Sequence, residues 1–241
     1  MFEGSVAALH RWPVKSLRGE RVRAARVDAR GVAGDRAHAL VDRRPRRAGT
    51  VLTVRQIPAM LSWGAGYGAG IADPAEPPVL RAPDGREWTW QEPGLADALA
   101  ASIGAPVELR AADGQQDRGP TVLVTFAASL AALSAELDAE VDLLRFRTNL
   151  HLTTDAPAFA EQDWGPGTVL EVGDAALEVT GERAGPCIRC AVPSRDPAGR
   201  ARWPGLQTHL IERHDNAFGV IMRVCRPDVA VTGDAVRAHP A

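Results

Sequence analysis

The sequence predicts an α+β fold that is rich in β-strands and divided into two domains. Three observations support this prediction. Short runs rich in β-branched residues are separated by glycine or proline, two segments carry leucines at helical spacing, and one polar stretch without periodicity lies near the middle of the chain. A length of 241 residues leaves each of two domains enough chain to bury a core of its own.

The first half of the chain is predicted to form strands and turns, which indicates a meander or a barrel. Gly31, Gly34 and Gly49 stand at the breaks between the runs. Residues 43–47 contain four arginines and a proline, and predict a solvent-exposed hairpin loop. The glycine-rich residues 64–70 predict a flexible loop, because no Lys-Ser/Thr pair follows them as in a phosphate-binding loop. The predicted strands are residues 5–10, 22–27, 37–42 and 50–53.

Two helices are predicted. In residues 92–103, Leu95, Leu99 and Ile103 recur at helical spacing, and Gly104 follows as a C-cap. The second helix is predicted from about residue 129 to residue 137, with three leucines on one face.

The polar residues 111–120 lie between these helices and mark a domain boundary. We therefore predict domains at residues 1–115 and 116–241. After the boundary, the predicted strands are residues 147–152, 168–172, 176–180, 217–222 and 229–236.

Composition and charge exclude several classes of protein. The net charge of −2 gives no overall attraction to nucleic acid, and the arginines of residues 43–47 have no interleaved aromatic residues. The chain has no run of about 18 apolar residues and no basic and apolar leader. Three cysteines fit a reducing compartment better than a disulfide framework. We therefore expect a cytoplasmic protein with no membrane association.

Lys15 is the one lysine among 28 lysines and arginines, which leaves 27 arginines. An ammonium group is a compact point charge on a flexible stem, whereas guanidinium is a planar fork suited to bidentate pairing. A position that keeps lysine in such an arginine-rich chain indicates a small anionic partner, and a phosphate is the obvious candidate. Chance survival of one lysine on a solvated loop is the alternative.

Cys187 and Cys190 form the sharpest local motif, and its chemistry is open on the residues alone. A zinc site lacks a second cysteine pair. A thioredoxin-type pair should open a helix, which Pro193 and Pro197 disfavour. One thiolate bound to a soft metal is a third interpretation, and Arg189 would favour the thiolate form. Two buried, inert cysteines are the fourth.

A second set of residues combines cations and hydrogen-bond donors at strand ends or in adjoining loops. Each alone is weak evidence, since a single arginine beside a strand usually extends into water. Together they could hold a phosphorylated ligand that is rich in heteroatoms. The set comprises Lys15, Ser16, Asp35, Arg36, Thr53, Arg55, Arg147 and Asn149.

These motifs, taken in order, resemble those of MOSC-domain proteins. The resemblance is to the type with an N-terminal MOSC β-barrel domain, as in the mitochondrial amidoxime-reducing component and its bacterial relatives. It covers almost the whole chain. The motifs are Trp12-Pro13-Val14-Lys15-Ser16-Leu17-x-Gly19, Gly34-Asp35-Arg36, residues 52–58, Phe146-Arg147-Thr148-Asn149, Trp164, Cys187-x-Arg189-Cys190, Asp196-Pro197-x-Gly199 and Phe218-Gly219.

The resemblance implies an N-terminal β-barrel domain and a C-terminal MOSC β-barrel domain that enclose a molybdenum cofactor, a phosphorylated pterin dithiolene (molybdopterin). It implies that Cys190 is the thiolate ligand of molybdenum and that Arg189 lies beside it. Lys15, Ser16 and Arg36 would hold the phosphate. Thr53, Arg55, Arg147 and Asn149 would contact the pterin or frame its pocket. Pyridoxal phosphate binding is a further expectation that comes with the resemblance.

Two positions depart from the family pattern. Thr148 stands where proline is common, and Ile188 stands where a small polar residue often precedes the arginine. The first change loosens the backbone but keeps both donors beside it. The second changes the hydrogen bonding expected around the metal, and so bears on the substrate.

The resemblance implies an oxidoreductase that reduces a small N-hydroxylated or N-oxide substrate by two electrons. Asp196 is a candidate proton source, with a turn-initiating aspartate as the alternative. Three cysteines cannot bind a ferredoxin-type [2Fe–2S] cluster through four thiolates, so we expect a separate electron-donor protein. The alternative functions are a persulfide sulfur carrier on Cys190, a protein that binds or transfers the molybdenum cofactor, and a MOSC scaffold that acts only as a binding module.

Overall fold

The structure is a computed structural model. It describes residues 2–68, 70–116, 119–181, 185–188, 192–196, 198–199, 201–239 and 241. The backbone of residues 186–188 is described without their side chains.

The described residues form strands throughout the chain, with three α-helices between them. The helices are α1 (Leu95–Ile103), α2 (Ala127–Glu136) and α3 (Pro204–Arg213). The strands are β1 (Phe2–Arg11), β2 (Glu20–Val22), β3 (Ala24–Asp28), β4 (Gly31–Val32), β5 (His38–Asp42), β6 (Gly64–Gly66), β7 (Val79–Arg81), β8 (Glu87–Thr89), β9 (Val107–Ala111), β10 (Val122–Phe126), β11 (Leu150–Thr154), β12 (Val169–Val172), β13 (Ala175–Glu178), β14 (Gly185–Ile188), β15 (Ala217–Arg226), β16 (Asp228–Val231) and β17 (Ala235–His239).

Seven strands close into a barrel. Their order is β10-β11-β1-β17-β12-β13-β15, and pairing of β10 with β15 completes the ring. β10 and β11 are parallel, and the other neighbouring pairs are antiparallel. Aliphatic side chains from these strands fill the interior, among them Val6, Val124, Leu152, Leu170 and Val220. The expected β-rich fold with a C-terminal barrel is confirmed.

The first strand of the chain lies in this C-terminal barrel. β1 pairs with β11 on one side and with β17 on the other, while β3 pairs with β16. The predicted domain boundary between residues 115 and 116 stays a prediction. In space, the N-terminal 28 residues contribute strands to the part of the fold built mainly from residues after 116.

A second core lies among β5 to β9 and α1. The antiparallel pair β5–β9 and the three-stranded sheet β6-β7-β8 surround it. Leu95, Leu99 and Ile103 of α1 are buried in this core as the spacing predicted. Gly104 ends the helix with φ of 74°, in the left-handed conformation that favours glycine, and its N–H donates to the Ala100 carbonyl.

A third, smaller core joins α2 to α3. Leu133 of α2 packs with Leu206 and Leu210 of α3, and the rings of Phe146 and Phe218 stack with centroids 3.9 Å apart. The sequence analysis did not predict α3. Only Leu206 and Leu210 mark its buried face, which is too few positions to show a helical period.

Four local predictions are wrong. Residues 229–236 belong to two strands, β16 and β17, separated by a turn at residues 232–234. Residues 50–53 form no strand, since only Val51 makes an isolated bridge with Val41. Residues 64–70, predicted as a flexible loop, begin with strand β6. Glycine at position 66 leaves room for the Glu20 side chain, since a Cβ atom there would lie 2.7 Å from Glu20 Oε2. Arg147 does not begin a strand, since its φ of 56° places it in the left-handed region before β11.

Other local predictions are confirmed. Residues 43–47 form a turn after β5, and Arg44 folds back onto Asp42 at 2.6 Å. α2 lies close to its predicted bounds. Among the described residues, no helix is both long enough and apolar enough to span a membrane.

Candidate functional site

A cleft of about 990 Å³ opens where the barrel meets the N-terminal sheets. One wall comes from β1, β2 and the loop between them. A second comes from β6, and a third from residues 143–147 and 192–196. The last of these segments begins two residues after Cys190 in the sequence. Residues that precede the second core in the sequence and residues that follow it therefore line the same cleft.

Trp12, which follows β1, ties these walls together. Its backbone N–H donates to the Asp35 carboxylate at 2.7 Å, and its indole Nε1 donates to the Thr148 carbonyl at 3.0 Å. The Arg147 guanidinium lies 4.3 Å from the centre of the indole ring. Such a cation over an aromatic face is attracted by the ring quadrupole. The indole ring thus links the N-terminal loop to the loop before β11.

Arg36 and Arg147 also link the N-terminal loop to the loop before β11, at the contact that we call the Trp12 junction. Arg36 forms an ion pair with the buried Asp35 and also donates to the Arg147 carbonyl at 3.3 Å. Arg147 donates to the Leu17 carbonyl at 2.7 Å. Burial raises the pKa of Asp35, and the charge of Arg36 acts against this shift. Arg36 and Arg147, both of which were predicted to contact the cofactor, are therefore positioned by hydrogen bonds between segments that are distant in the sequence.

The cleft is lined by more cations than anions. Among the described residues, six arginines and three carboxylates line it, which is a surplus of three positive charges. Two of the carboxylates are already paired, Glu20 with Arg11 at 2.8 Å and Glu87 with Arg81 at 2.6 Å. The lining charged residues are Arg18, Arg21, Arg81, Arg145, Arg147, Arg195, Glu20, Glu87 and Asp196.

Three buried nitrogen atoms in this lining have no hydrogen-bond partner among the described residues. They are Arg18 Nε, Arg145 Nε and His10 Nδ1. The same two arginines use Nη atoms to bind backbone carbonyls, Arg18 to Ser62 at 2.9 Å and Arg145 to Pro193 at 3.1 Å. A buried donor without a partner is costly, so the two guanidinium groups favour an anionic ligand that is rich in acceptors, while His10 Nδ1 can donate or accept according to the tautomer.

Two histidines face the cleft from the barrel. Burial lowers the pKa of both His10 and His151 to about 4, and the charge of Arg21 adds to the shift of His10. His151 Nδ1 lies 2.9 Å from the Thr125 hydroxyl. Both rings are neutral at pH 7. They were not predicted from the sequence, and neither were Arg18 and Arg145, although Arg18 lies inside the first motif and the other three lie within two positions of a motif.

Lys15 and Ser16 lie behind the cleft and do not line it. The Lys15 ammonium donates to the Gln116 carbonyl at 3.3 Å, and the Gln116 N–H donates to the Arg36 carbonyl at 2.9 Å. The structure thus brings Lys15 close to Arg36. Ser16 has a φ of 70°, and its hydroxyl accepts a bond from the Val54 N–H at 3.2 Å.

The remaining predicted residues have different surroundings. Asn149 is buried, and its amide accepts from the Leu123 N–H at 3.1 Å and donates to the His10 carbonyl at 3.2 Å. Thr53 bonds to the side chain of Gln56, and Arg55 is exposed. None of these three residues lines the cleft. Asn149 instead connects β1 to the start of β10.

The segment around the cysteine motif is described only in part. Asp196 lines the cleft, and its carbonyl accepts from the Gly199 N–H at 2.9 Å in a turn. Cys187 lies in β14, which pairs with β15. Arg189, Cys190 and Pro197 lie outside the described residues.

The cleft residues fit a phosphorylated pterin cofactor. The excess positive charge, the unpartnered donors and the indole wall match a polyanion with a flat heterocycle. Chemically, the arrangement is an anion-binding cleft whose lining includes two neutral imidazoles and the Asp196 carboxyl.

Comparison with known families identifies both halves of the chain. The MOSC domain matches residues 114–237, and the MOSC N-terminal beta barrel domain matches residues 3–84. No curated protein has a significantly similar sequence.

Comparison with solved structures gives the following alignments. The YuaD protein from Bacillus subtilis aligns over 100% of both chains with a TM-score of 0.53 and 12% sequence identity, which shows a shared fold. YiiM from Geobacillus stearothermophilus aligns over 49% of this chain and 53% of its own, with a TM-score of 0.38 and 15% identity.

Proposed function

The chain belongs to the MOSC domain family, which binds the molybdenum cofactor, and on this premise we propose that it is a molybdenum-dependent oxidoreductase. The proposed reaction is two-electron reduction of a small N-hydroxylated or N-oxide compound. The observation that carries the proposal is the arginine-rich cleft, which combines the Trp12 junction with the segment that follows Cys190.

Cofactor binding is assigned to two groups of residues. Cys190 would be the thiolate ligand, since a soft thiolate suits a soft metal centre. Lys15, Ser16 and Arg36 are the proposed phosphate contacts and would bind it beside the cleft, since none of them lines it, and Gln116 links the Lys15 ammonium to the Arg36 backbone there. Arg147 and the unpartnered donors of Arg18 and Arg145 would bind the pterin end, and Thr53, Arg55 and Arg189 stay as further predicted contacts.

The cofactor, when bound, supplies a metal able to exchange two electrons and an oxygen atom. The residues of this chain would orient the substrate, exclude water and supply protons. The N–O bond breaks, two electrons come from a separate electron-donor protein, and two protons complete the water that leaves. Asp196 is the proposed proton source, because it lines the cleft and is half-buried. Burial keeps His10 and His151 neutral at pH 7, so they would act as hydrogen-bond partners of the ligand and not as proton sources.

The proposal is tested by supplying electrons in two ways. Protein expressed in a host that makes the cofactor should reduce an amidoxime with a chemical reductant. With NADH alone it should be inactive until a reductase and an electron carrier are added, because the sequence has no nicotinamide fingerprint. Steady NADH oxidation by the isolated chain would contradict the need for a separate donor. A persulfide on Cys190 in protein that contains no molybdenum would favour the sulfur-carrier alternative.

Pyridoxal phosphate binding stays a prediction. Lys15 is the one lysine of the chain, so it is also the one side-chain amine available to a carbonyl ligand. The absorbance spectrum of purified protein tests this point.

A further inference from the structure

Three metal-ligating side chains meet on the face of the molecule where α2 and α3 end. They are Glu136, His209 and His214, and their ligand atoms all lie within 4.8 Å of one another. Glu136 Oε2 is 2.6 Å from His209 Nε2 and 2.7 Å from His214 Nε2. None of the three lines the cofactor cleft. We propose that these residues form a binding site for a divalent transition metal ion of the zinc type.

The helix ends explain how the two imidazoles converge. His209 and His214 are five residues apart, so on a continuous helix their side chains would point about 140° apart. α3 ends at Arg213, and His214 has a non-helical φ of −135°. This change in the backbone turns its ring back toward His209, with ring centroids 5.7 Å apart. Phe159 packs against the His214 ring at 4.2 Å.

The opposite helix fixes the carboxylate. Glu136 is the last residue of α2, and Leu133, one turn earlier, packs against Leu206 and Leu210 of α3. The hydrophobic contact therefore sets the distance between the carboxylate and the two imidazoles. Burial would raise the pKa of Glu136, but hydrogen bonds from His209 and His214 outweigh it and lower the pKa, which keeps the carboxylate ionised.

The donor set fits Zn²⁺. Two imidazole nitrogens and one carboxylate oxygen are the usual ligand types of this ion, and a water molecule can take the fourth position. The three side chains are 11% to 34% exposed, so an ion can enter from solvent. Tetrahedral coordination with bonds of about 2.0–2.1 Å separates ligand atoms by roughly 3.3 Å. Both Nε2 atoms are now hydrogen-bonded to Glu136 Oε2, at 2.6 and 2.7 Å, so metal binding replaces these hydrogen bonds, leaves the proton of each neutral imidazole on Nδ1 and widens the separations slightly.

Zinc titration of the full-length protein tests the site. We expect one Zn²⁺ per chain bound at micromolar concentrations, with a higher melting temperature, because the ion would join α2 to α3. His209→Ala and His214→Ala should each weaken binding by more than about tenfold, since loss of an outer-shell partner alone often costs 10–100-fold. Glu136→Gln keeps an acceptor for both imidazoles, so it should fold normally while also binding zinc more weakly.

The controls separate this site from other metal ligands. His239→Ala removes a surface histidine that lies 3.6 Å from Glu171, outside the cluster, and should bind zinc as the wild type does. Cobalt(II) bound at the proposed site should show no thiolate-to-cobalt charge-transfer band, because the site contains no cysteine. Absence of binding in the wild type would overturn the proposal. Unchanged binding in both histidine variants, equal loss in His239→Ala, or a thiolate band would also overturn it.

Discussion

The side-chain amide of Asn149 bonds to the backbone of neighbouring strands and does not line the cleft. The carbonyl of its amide accepts the Leu123 N–H, and the nitrogen donates to the His10 carbonyl, so one residue joins the starts of two barrel strands to β1. The sequence motif placed Asn149 beside Arg147 but gave no information on which way each side chain points. Arg147 faces the cleft, and Asn149 faces the interior.

Replacement of Asn149 by alanine should therefore destabilise the protein. The change leaves a buried N–H and a buried carbonyl without their partner, at a cost of roughly 1–3 kcal/mol each. Urea denaturation measures the free energy of unfolding. Thr53→Ala is the matched control, because Thr53 is half-buried and its described side-chain bond is to the exposed Gln56 nearby. An Asn149→Ala protein with wild-type stability and no cofactor would show that Asn149 acts on the ligand instead.

Lys15 is predicted to act on the cofactor rather than on the fold. Its side-chain hydrogen bond to the Gln116 carbonyl is long at 3.3 Å. Lys15→Ala should lower cofactor affinity by one to two decades, because a charge-assisted contact contributes roughly 1.5–3 kcal/mol. Lys15→Arg should have a smaller effect, since it keeps the charge in a larger group.

Cofactor content per folded chain, measured beside the melting temperature of the apoprotein, decides this prediction. Arg46→Ala is a useful comparison, because Arg46 is an exposed cation in the turn after β5 and is not among the proposed cofactor contacts. Full occupancy in Lys15→Ala would mean that the lysine was retained by chance.

At the scale of elements, Gly219 controls closure of the barrel. It lies in β15 with φ of 74°, and a Cβ atom there would approach the Val124 carbonyl oxygen to 2.6 Å. The neighbouring residue Val220 pairs with Val124 of β10, which is the contact that closes the ring. Side chains larger than hydrogen are therefore excluded by both the backbone conformation and the neighbouring strand.

Gly219→Ala should destabilise the protein by more than about 2 kcal/mol, because the left-handed conformation alone costs roughly 1–2 kcal/mol. Gly233→Ala measures the free-energy cost of the left-handed conformation alone, since Gly233 has φ of 98° and an added Cβ would meet no atom within 4 Å. Thermal unfolding of the two variants makes the comparison. Equal losses would show that the contact with Val124 contributes nothing.

Local periodicity predicted some elements and could not predict others. The three apolar residues and the terminal glycine of α1 are close in sequence, so their pattern was sufficient. Closure of the barrel depends on β1 pairing with β17, more than 220 residues later, and no local pattern contains that information. α3 was missed because it begins at Pro204 and buries only Leu206 and Leu210.

At the scale of the whole molecule, the buried histidines make stability depend on pH. The pKa values of His10 and His151 are lowered by burial from 6.5 to about 4. Between these values the unfolded chain binds more protons than the folded chain, so acid favours unfolding. The stabilising effect of the neutral rings is complete above pH 6.5 and is lost progressively as the pH falls toward 4.

The free energy of unfolding should therefore be lower at pH 5 than at pH 7.5, with a slope of at most about 1.4 kcal/mol per pH unit for each histidine. Urea denaturation at the two pH values measures the difference. His10→Gln and His151→Gln should each reduce the slope. A stability that rises as the pH falls would contradict the pKa shifts.

The overall architecture was predictable because motifs in both halves of the sequence kept their order, and both matched domains agree with it. The cleft was predictable only in part. Arg36, Arg147 and Asp196 come from segments up to 160 residues apart, and only the fold shows that Arg147 and Asp196 share a lining with His10, Arg18 and Arg145.

Molybdenum analysis combined with cysteine replacement tests the central claim most directly. Wild-type protein from a cofactor-producing host should contain about one molybdenum per chain and reduce an amidoxime with a chemical reductant. Cys190→Ser should lose that activity, because a hydroxyl cannot replace a thiolate ligand without changing the electronic properties of the metal. Cys187→Ser and Cys225→Ser should keep most of it, and Cys225 is exposed. Wild-type protein without molybdenum, or equal loss of activity in Cys187→Ser and Cys190→Ser, would contradict the account.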